Sequence, residues 1–465
     1  MGVGGMETMT SRAIPIRGIL LALLLLLAVP AAVGQHDHSS HQPEPAPAAQ
    51  QPSSAERSSR PMRDEDPHAA HGEQQHPGAN LELGFGSGTA WLPQSSPSYM
   101  WMKSYGDWNV MTHANLVIGF NKQGGLRGAG KLQSQNWLML MQDRKLGAGT
   151  LQLRQMFTAE PLTTPRPGFP QLFQTGETYR GKALVDHQHP HDLIGELSAR
   201  YVVPVSENLQ WSIYGGLAGE PAVGPVTFMH RGSALEIPDA PLSHHLQDST
   251  HITFGVITTG LTYKRVKVEG SVFNGREPDE ERTNFDFGAL DSWAGRVSFA
   301  PGRNWTASYA YGFLRKPEAL EDNNIVRQTA MLSYNRPLAA GNWATSLVWG
   351  RNRKTGHADS VQNSYLVETT LNFAQKNYAY TRLELVDKDE LFPEGDGPGG
   401  HHASFRIGGY TFGGVRDIVQ SSAGQVGIGA EVTFYSKPDV LDSYYGKRPV
   451  SFQIFVRLRP PKMTH

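Results

Sequence analysis

The chain has 465 residues, a formal net charge of −1 and no cysteine. This length suits one large domain or several small ones, and the near-neutral charge gives no reason to expect a nucleic-acid partner. The absence of cysteine excludes disulfide bonds and metal sites built from thiolates.

The first 34 residues have the features of a secretory signal peptide. Arg12 and Arg17 precede an apolar run over 19–29, and the small residues Ala32 to Gly34 come before Gln35. The apolar run is short for a spanning helix, and no later stretch approaches the ~20 apolar residues that such a helix needs. The sequence therefore predicts export of the chain without a helical membrane anchor.

Residues 35–78 are predicted to form a disordered linker, because they are rich in Pro, Ala, Gln, Ser and Glu and carry little to bury. This linker also contains His36, His38, His41, His68, His71 and His76. A tract of this kind can bind metal weakly, or its histidines can be incidental in a solvated segment. The sequence leaves both interpretations open.

The remainder, 79–465, alternates apolar and polar residues from about Trp108 onward, which is the pattern of strands with two different faces. Trp293, Val297 and Phe299, for example, alternate with Arg296 and Ser298. About sixteen such segments follow one another. Soluble sandwiches alternate in the same way, so the alternation by itself does not identify the surrounding solvent.

The lengths of the connections between these segments indicate the fold class. Tight links such as 206–208 and 301–304 alternate with long ones such as 159–192 and 218–250. Short turns at one end and long loops at the other are the plan of an outer-membrane barrel. The predicted fold is therefore all-β, an antiparallel transmembrane (outer-membrane) β-barrel of about 16 strands.

This fold implies a location and partners. We expect the barrel in the cell outer membrane, with the N-terminal tail in the periplasm and the long loops at the extracellular end. The lipid bilayer and the barrel-assembly machinery are the expected macromolecular partners, and a metal ion or small solute is the expected ligand.

Histidines and carboxylates concentrate in the long loops, most densely in the stretch Asp-His-Gln-His-Pro-His-Asp at 186–192. Neutral imidazole nitrogens and carboxylate oxygens suit a divalent transition metal. The alternative is a polar turn with incidental histidines. Nearby Glu277, Asp279 and Glu280 offer further oxygen donors. The candidate metal ligands are His187, His189, His191, Asp192, His230, His244, His245, Asp248 and His251.

A second, weaker set of candidates lies in the predicted strands near the N-terminal end of the barrel. Side chains alternate between the two faces of a strand, and this alternation places five candidate side chains in the lumen: Met111, His113, Met139, Met141 and Met156. Thioether and imidazole ligands along one wall are the preference of Cu(I). The alternative is that methionine, as a flexible side chain, fills gaps in a narrow lumen.

Six segments carry a resemblance: GET at 176–178, DHQHPHD at 186–192, FMHR at 228–231, PLSHH at 241–245, DSTH at 248–251 and NGREPDE at 274–280. They resemble those of a family of secreted Gram-negative proteins that are predicted outer-membrane barrels without an established activity. The layout, a His-bearing tail before a barrel, is also similar to copper resistance protein B. That protein has a Met-rich tail, whereas here only Met62 lies in the tail. The resemblance implies fold and location, and leaves copper, zinc and nickel open.

The main functional hypothesis is a barrel with a His/Asp-rich extracellular mouth that binds or passes a transition metal, copper or zinc, in metal handling or resistance. One alternative is a structural porin whose loops are held by a His/Asp network. A weaker one is a hydrolase built from Asp248, Ser249 and His251. The motif at 274–280 could bind a cationic or sugar ligand, or join loops by pairing Arg276 with Glu277.

Overall fold

The computed structural model describes residues 86–164, 166–356, 359–400 and 403–463. The predicted signal peptide and linker lie outside these ranges, as do His357, His401 and His402. Within the described ranges, no helix is both long enough and apolar enough to cross a bilayer.

The described residues form mainly strands, joined by turns and single-turn helices. In chain order the strands are β1 Trp101–Tyr105, β2 Trp108–Lys122, β3 Gly130–Leu146, β4 Gly149–Phe157, β5 Phe169–Pro170, β6 Glu177–Tyr179, β7 Lys182–Leu184, β8 His187–Gln188, β9 Ile194–Ser206, β10 Leu209–Ala218, β11 Val256–Tyr263, β12 Val266–Phe273, β13 Ser292–Gly302, β14 Trp305–Leu314, β15 Asn324–Leu338, β16 Gly341–Thr355, β17 Ser360–Phe373, β18 Asn377–Lys388, β19 Phe405–Ser421, β20 Gly424–Ser436 and β21 Val450–Arg459. The α-helical turns are Glu160–Thr163, His244–Gln247 and Asp442–Tyr445, and the 3₁₀ turns are Phe228–His230, Ser249–His251 and Asp439–Leu441.

Strands β2 to β4 and β9 to β21 form a closed barrel of 16 antiparallel strands. Each pairs with its neighbour along the chain, and β2 closes the barrel by pairing with β21, with Ile118 opposite Val456. Closure leaves no unpaired sheet edge, which a bilayer requires. The predicted barrel is confirmed. The short strand β1 was not predicted; it forms a hairpin with the first residues of β2, with Trp101 opposite Thr112.

The two faces of the wall match the predicted alternation. In β13 the side chains of Val297 and Trp293 are 47% and 50% exposed on the outside, whereas Arg296 and Ser298 are buried on the inside. Successive side chains of a strand point to opposite faces, so a local pattern of period two fixes the orientation of a whole strand. The outer surface is therefore apolar and the inner surface polar, as a membrane barrel requires.

The alternation of short and long connections is also confirmed. Short turns occupy 147–148, 207–208, 264–265 and 303–304, all at one end of the barrel. Long connections occupy 123–129, 158–193, 219–255, 274–291 and 389–404 at the other end.

The connection 219–255, here called the plug segment, enters the lumen. The amide of Ala222 donates a hydrogen bond to Ser271 Oγ of β12 at 2.8 Å. The hydroxyl of Ser233 donates to Ser346 Oγ of β16, also at 2.8 Å. The plug segment therefore contacts inward-facing side chains of separate strands. Sequence patterning did not predict that this connection would enter the lumen.

A second segment, 86–96, also lies inside the barrel. Arg154 Nη1 donates to the carbonyl of Gly88 at 2.6 Å, and Ser95 Oγ donates to the carbonyl of Asn335 at 3.0 Å. Apolar side chains of this segment pack with the plug segment and with three strands, in a cluster formed by Ala90, Leu92, Val226, Met331, Val348 and Leu366. Protein from two segments thus occupies the lumen.

Candidate functional site

Five histidines from two loops meet at the long-loop end of the lumen. This five-histidine cluster consists of His189, His191, His244, His245 and His251. Following the order 189, 191, 251, 244, 245 and back to 189, the ring centroids are 6.2, 5.2, 5.1, 5.2 and 6.4 Å apart. The imidazoles therefore form a closed circuit in which each contacts two others.

In four of these imidazoles, one ring nitrogen is hydrogen-bonded to an oxygen atom. His191 Nδ1 lies 2.7 Å from Glu160 Oε2, and His244 Nδ1 lies 2.6 Å from Asp248 Oδ1. The backbone carbonyls of Asp248 and Pro190 accept from His251 Nδ1 at 2.9 Å and from His189 Nδ1 at 2.8 Å. Each oxygen accepts a hydrogen bond from Nδ1, so the lone pair of each neutral ring lies on Nε2. Histidines that bind metals are oriented in this way.

Several of the remaining nitrogens are buried and unsatisfied. His191 Nε2, His251 Nε2 and both ring nitrogens of His245 have no hydrogen-bond partner in the described structure. A buried polar atom without a partner costs about 1–3 kcal/mol. A cation in the cluster would supply the missing partner for Nε2 of His251 and for one ring nitrogen of His245.

A carboxylate completes one tight group of candidate ligands. Glu177 Oε1 lies 2.5 Å from His189 Nε2 and 3.8 Å from His245 Nε2. The ligand atoms of Glu177, His189 and His245 all lie within 4.8 Å of one another. Two imidazoles with one carboxylate form a ligand set that zinc accepts while leaving a fourth position open. Arg282 Nη2 holds the other carboxylate oxygen at 3.2 Å.

The charge state of the cluster favours metal binding for most of its members. Burial lowers the pKa of His244 and His245 to about 4, despite the carboxylates of Asp248 and Glu177 beside them. Burial also lowers the pKa of His189 and His251 well below the usual histidine value. Four imidazoles are thus neutral at neutral pH, which is the form that binds metal.

His191 differs from the other four. Burial acts to lower its pKa, but the charge and hydrogen bond of Glu160 outweigh burial and raise the pKa. Its proton and a bound cation would therefore compete.

Other predicted ligands lie around the cluster rather than in it. Asp248 orients His244 and also accepts from Arg231 Nη1 at 3.1 Å. Asp192 accepts from Arg282 Nη1 at 3.4 Å, and its Oδ1 is buried without a partner. His187 is half-buried, and its Nδ1 lies 3.2 Å from the carbonyl of Val185.

His230 belongs to a different region. Its ring lies 5.1 Å from that of Trp137, beside a cluster of methionines. The predicted strand residues Met111, Met139, Met141 and Met156 are buried there together with Met100. His113 is on the same wall, with Nε2 buried and unpartnered. The structure therefore divides the predicted ligands between two regions.

Two glutamates of the site were not among the predicted ligands. Glu160 begins a single-turn helix, and Glu177 lies in β6, far along the chain from His245. The motif at 186–192 lies near both in sequence and gives no indication of which carboxylate faces it. Both glutamates lie in the long loop that carries this motif, and Glu177 also belongs to the segment 176–178 that carries the resemblance.

The three residues of the hydrolase alternative are not arranged as a catalytic triad. The carboxylate of Asp248 contacts His244 and Arg231, while His251 Nδ1 donates its hydrogen bond to the backbone carbonyl of Asp248 and not to the carboxylate. Ser249 Oγ accepts from Arg327 Nη1 at 2.9 Å. A triad needs the carboxylate to orient the base that activates the serine. These three residues do not form that chain of contacts.

Arg276 pairs with a carboxylate other than that of Glu277. Arg276 Nη2 donates to Asp291 Oδ2 at 3.0 Å, so this arginine fastens the motif at 274–280 to the start of β13. Glu277 instead faces the five-histidine cluster, with Oε1 3.6 Å from His245 Nδ1.

No protein-family model and no curated protein matches the chain. Solved structures share its barrel architecture. The anion-selective porin of Comamonas acidovorans is 10% identical, over 75% of this chain and 99% of that one, with a TM-score of 0.44. OmpF of Salmonella typhi, in complex with daunomycin, is 11% identical over 77% and 100%, with a TM-score of 0.44. The outer membrane channel DcaP of Acinetobacter baumannii is 9% identical over 77% and 99%, with a TM-score of 0.41.

Proposed function

We propose that this protein is an outer-membrane barrel that binds a divalent transition metal, zinc or copper, at the five-histidine cluster. Glu177, His189 and His245 are the first ligands in this proposal, and His191 and His251 offer further free Nε2 atoms. The main support for metal binding is the orientation of the rings. Four imidazoles form a hydrogen bond from Nδ1 to an oxygen, as metal-binding histidines do.

The contents of the lumen favour metal binding over general diffusion of solutes. A general porin needs a water-filled channel. Here the plug segment and residues 86–96 lie inside the barrel and form hydrogen bonds to its inner wall. The proposed protein therefore handles a small ion rather than a bulky solute.

The location in this proposal is the outer membrane, with the long loops outside the cell and the N-terminal tail in the periplasm. The apolar outer surface supports contact with lipid, as Trp293 and Val297 illustrate. Insertion of such a barrel would require the barrel-assembly machinery.

A second candidate function is a structural porin whose loops are held by histidine and carboxylate pairs. The pairs His191–Glu160 and His244–Asp248 favour it, because both are buried and the first joins the two ends of the loop 158–193. In that case the five-histidine cluster is a network of internal hydrogen bonds and needs no metal.

Metal titration of matched variants separates the two candidates. The full chain is purified in detergent and titrated with Zn(II) against a chelator of known affinity. Replacing His189 and His245 together by Ala should lower the affinity roughly tenfold or more, the scale of changes around a metal. His187→Ala is the control, because His187 lies in the same loop outside the cluster. All three proteins keep the histidines of the tail, so the difference between them reports the cluster alone.

The opposite result would be equal Zn(II) affinity in the double variant, the control and the parent. The five-histidine cluster would then not be the metal site. If the double variant instead lost thermal stability in the absence of metal while Zn(II) binding stayed the same, the structural candidate would be favoured.

A further inference from the structure

Three neighbouring strands bring sulfur and imidazole side chains together on one inner wall. Met111 of β2 lies opposite Met141 of β3, and His113 lies opposite Met139. Met139 in turn lies opposite Met156 of β4. Directly opposite residues in antiparallel strands have Cβ atoms about 4.5–5.5 Å apart. These donor side chains are therefore in contact across the wall.

Residues from outside these strands extend this group, here called the methionine cluster. Met100 is buried with the four strand methionines, and Met229 and Met463 pack against them. The cluster thus contains seven of the 13 methionines in the chain. Met229 belongs to the plug segment, so both the wall and the plug contribute thioethers. His230 follows it and contacts Trp137 of β3.

Packing alone does not account for the imidazole within this cluster. Methionine fills irregular gaps, so thioethers by themselves have a structural explanation. His113, however, has Nε2 buried and without a hydrogen-bond partner. An apolar side chain at this position would avoid the cost of that unsatisfied nitrogen. A cation bound among the sulfurs would supply its partner.

Charged side chains of both signs lie beside the methionine cluster. Arg154 of β4 lies opposite Met141 and carries a permanent positive charge. Its guanidinium is held by Gln152 Oε1 at 2.8 Å and by the carbonyl of Gly88 at 2.6 Å. Glu196 of β9 lies opposite Met156 and places a carboxylate on the other side of the cluster. The preference for a monovalent ion therefore rests on the soft, neutral thioether ligands.

A small cavity joins the methionine cluster to the five-histidine cluster. It has a volume of about 20 Å³. Its lining includes Met156 and Met229 from the first cluster and His191 and His251 from the second. A cavity of this size holds about one water molecule, so a single ion can fit between the two groups of ligands.

We propose that the methionine cluster is a second metal site, specific for a soft monovalent cation of the Cu(I) or Ag(I) class. Thioether ligands select such ions over zinc. Met139, Met141 and Met156 are its sulfur ligands, and His113 is its nitrogen ligand. The site stands independently of the function proposed for the five-histidine cluster, whereas transfer of an ion between them rests on that function.

Titration of the full chain with Ag(I) in chloride-free buffer tests this second site. The triple variant Met139→Leu, Met141→Leu, Met156→Leu keeps the apolar volume and removes three sulfurs. We expect it to bind Ag(I) at least tenfold more weakly than the parent, with Zn(II) affinity unchanged. Met331→Leu is the control, because Met331 is buried in a different cluster on β15. It should bind Ag(I) like the parent.

Equal Ag(I) affinity in the triple variant and the parent would overturn the proposal, as would an equal loss in the control. If the triple variant fails to insert into detergent as a folded barrel, Met139→Leu and Met141→Leu are measured singly. Each should then show a smaller loss of Ag(I) affinity, and no loss in either would overturn the site. A loss of Zn(II) binding in the His189/His245 variant with Ag(I) binding intact would leave the second site standing.

Discussion

Arg231 of the plug segment and Glu368 of β17 are joined by two hydrogen bonds inside the barrel. Arg231 Nε donates to Glu368 Oε2 at 2.9 Å, and Nη2 donates to Oε1 at 3.2 Å. Neither residue is exposed. Arg231 also reaches Asp248, which orients His244. One side chain thus fastens the plug to the wall and supports the five-histidine cluster.

Arg231→Ala should loosen the plug segment. Removing one partner of a buried ion pair leaves the other charge uncompensated and costs about 3–5 kcal/mol. We expect the variant to conduct ions through planar lipid bilayers more strongly than the parent. Arg336→Ala, which removes an exposed arginine at the short-turn end, should leave the conductance unchanged. Equal conductance in all three proteins would mean that the remaining contacts of the plug suffice.

Gly176→Ala should disturb the five-histidine cluster without removing a ligand. Gly176 has a φ of 108°, and a Cβ atom there would overlap the imidazole of His245. We expect a displaced His245 and a weaker affinity for Zn(II). Gly181→Ala is the matched control, because Gly181 also has a positive φ, of 71°, but has open space around its Cβ position. Both variants carry the backbone strain of a positive φ, so a deficit confined to Gly176→Ala isolates the contact with His245.

Acid should destabilise the plug segment between about pH 6.5 and pH 4. Histidines of an unfolded chain titrate near ~6.5, whereas the pKa of His244 and His245 is lowered to about 4. Between these values the unfolded segment binds more protons, so stability present above the unfolded value is lost as the pH falls. His191, with its raised pKa, acts in the opposite direction, but four members of the cluster have lowered values.

Hydrogen exchange measures this effect. After correction for intrinsic rates, the amides of 244–251 should exchange faster at pH 5 than at pH 7. The amides of the paired strands β13 and β14 serve as the internal control and should be unaffected. Equal protection of 244–251 at the two pH values would contradict the predicted cost of charging buried histidines.

An arginine on the outer surface should destabilise the barrel according to its depth. Leu347 lies near the middle of β16, and its side chain is exposed on the outside. Leu347→Arg should lower the free energy of unfolding by about 2–4 kcal/mol in lipid vesicles. Leu338→Arg, at the short-turn end of β15, should lower it by about 0–1 kcal/mol. Equal costs in a urea titration would show that Leu347 does not face lipid.

The sequence by itself determined the wall of the barrel. Alternation along a strand is a local property, so the inward Arg296 and the outward Val297 follow from neighbouring residues alone. The lengths of the connections placed the histidine-bearing loops at one end. Strand parity likewise directed Met139 and Met141 inward, as the structure shows.

Only the tertiary structure decided which of these residues meet. A loop has no periodicity, so nothing local indicates that 219–255 would enter the lumen and bring Met229 to the wall of β3. The placement of Glu177 beside His189 and His245 depends on two loops meeting there. Such contacts depend on the closed barrel. Its closure places residues that are distant in the chain around one common lumen.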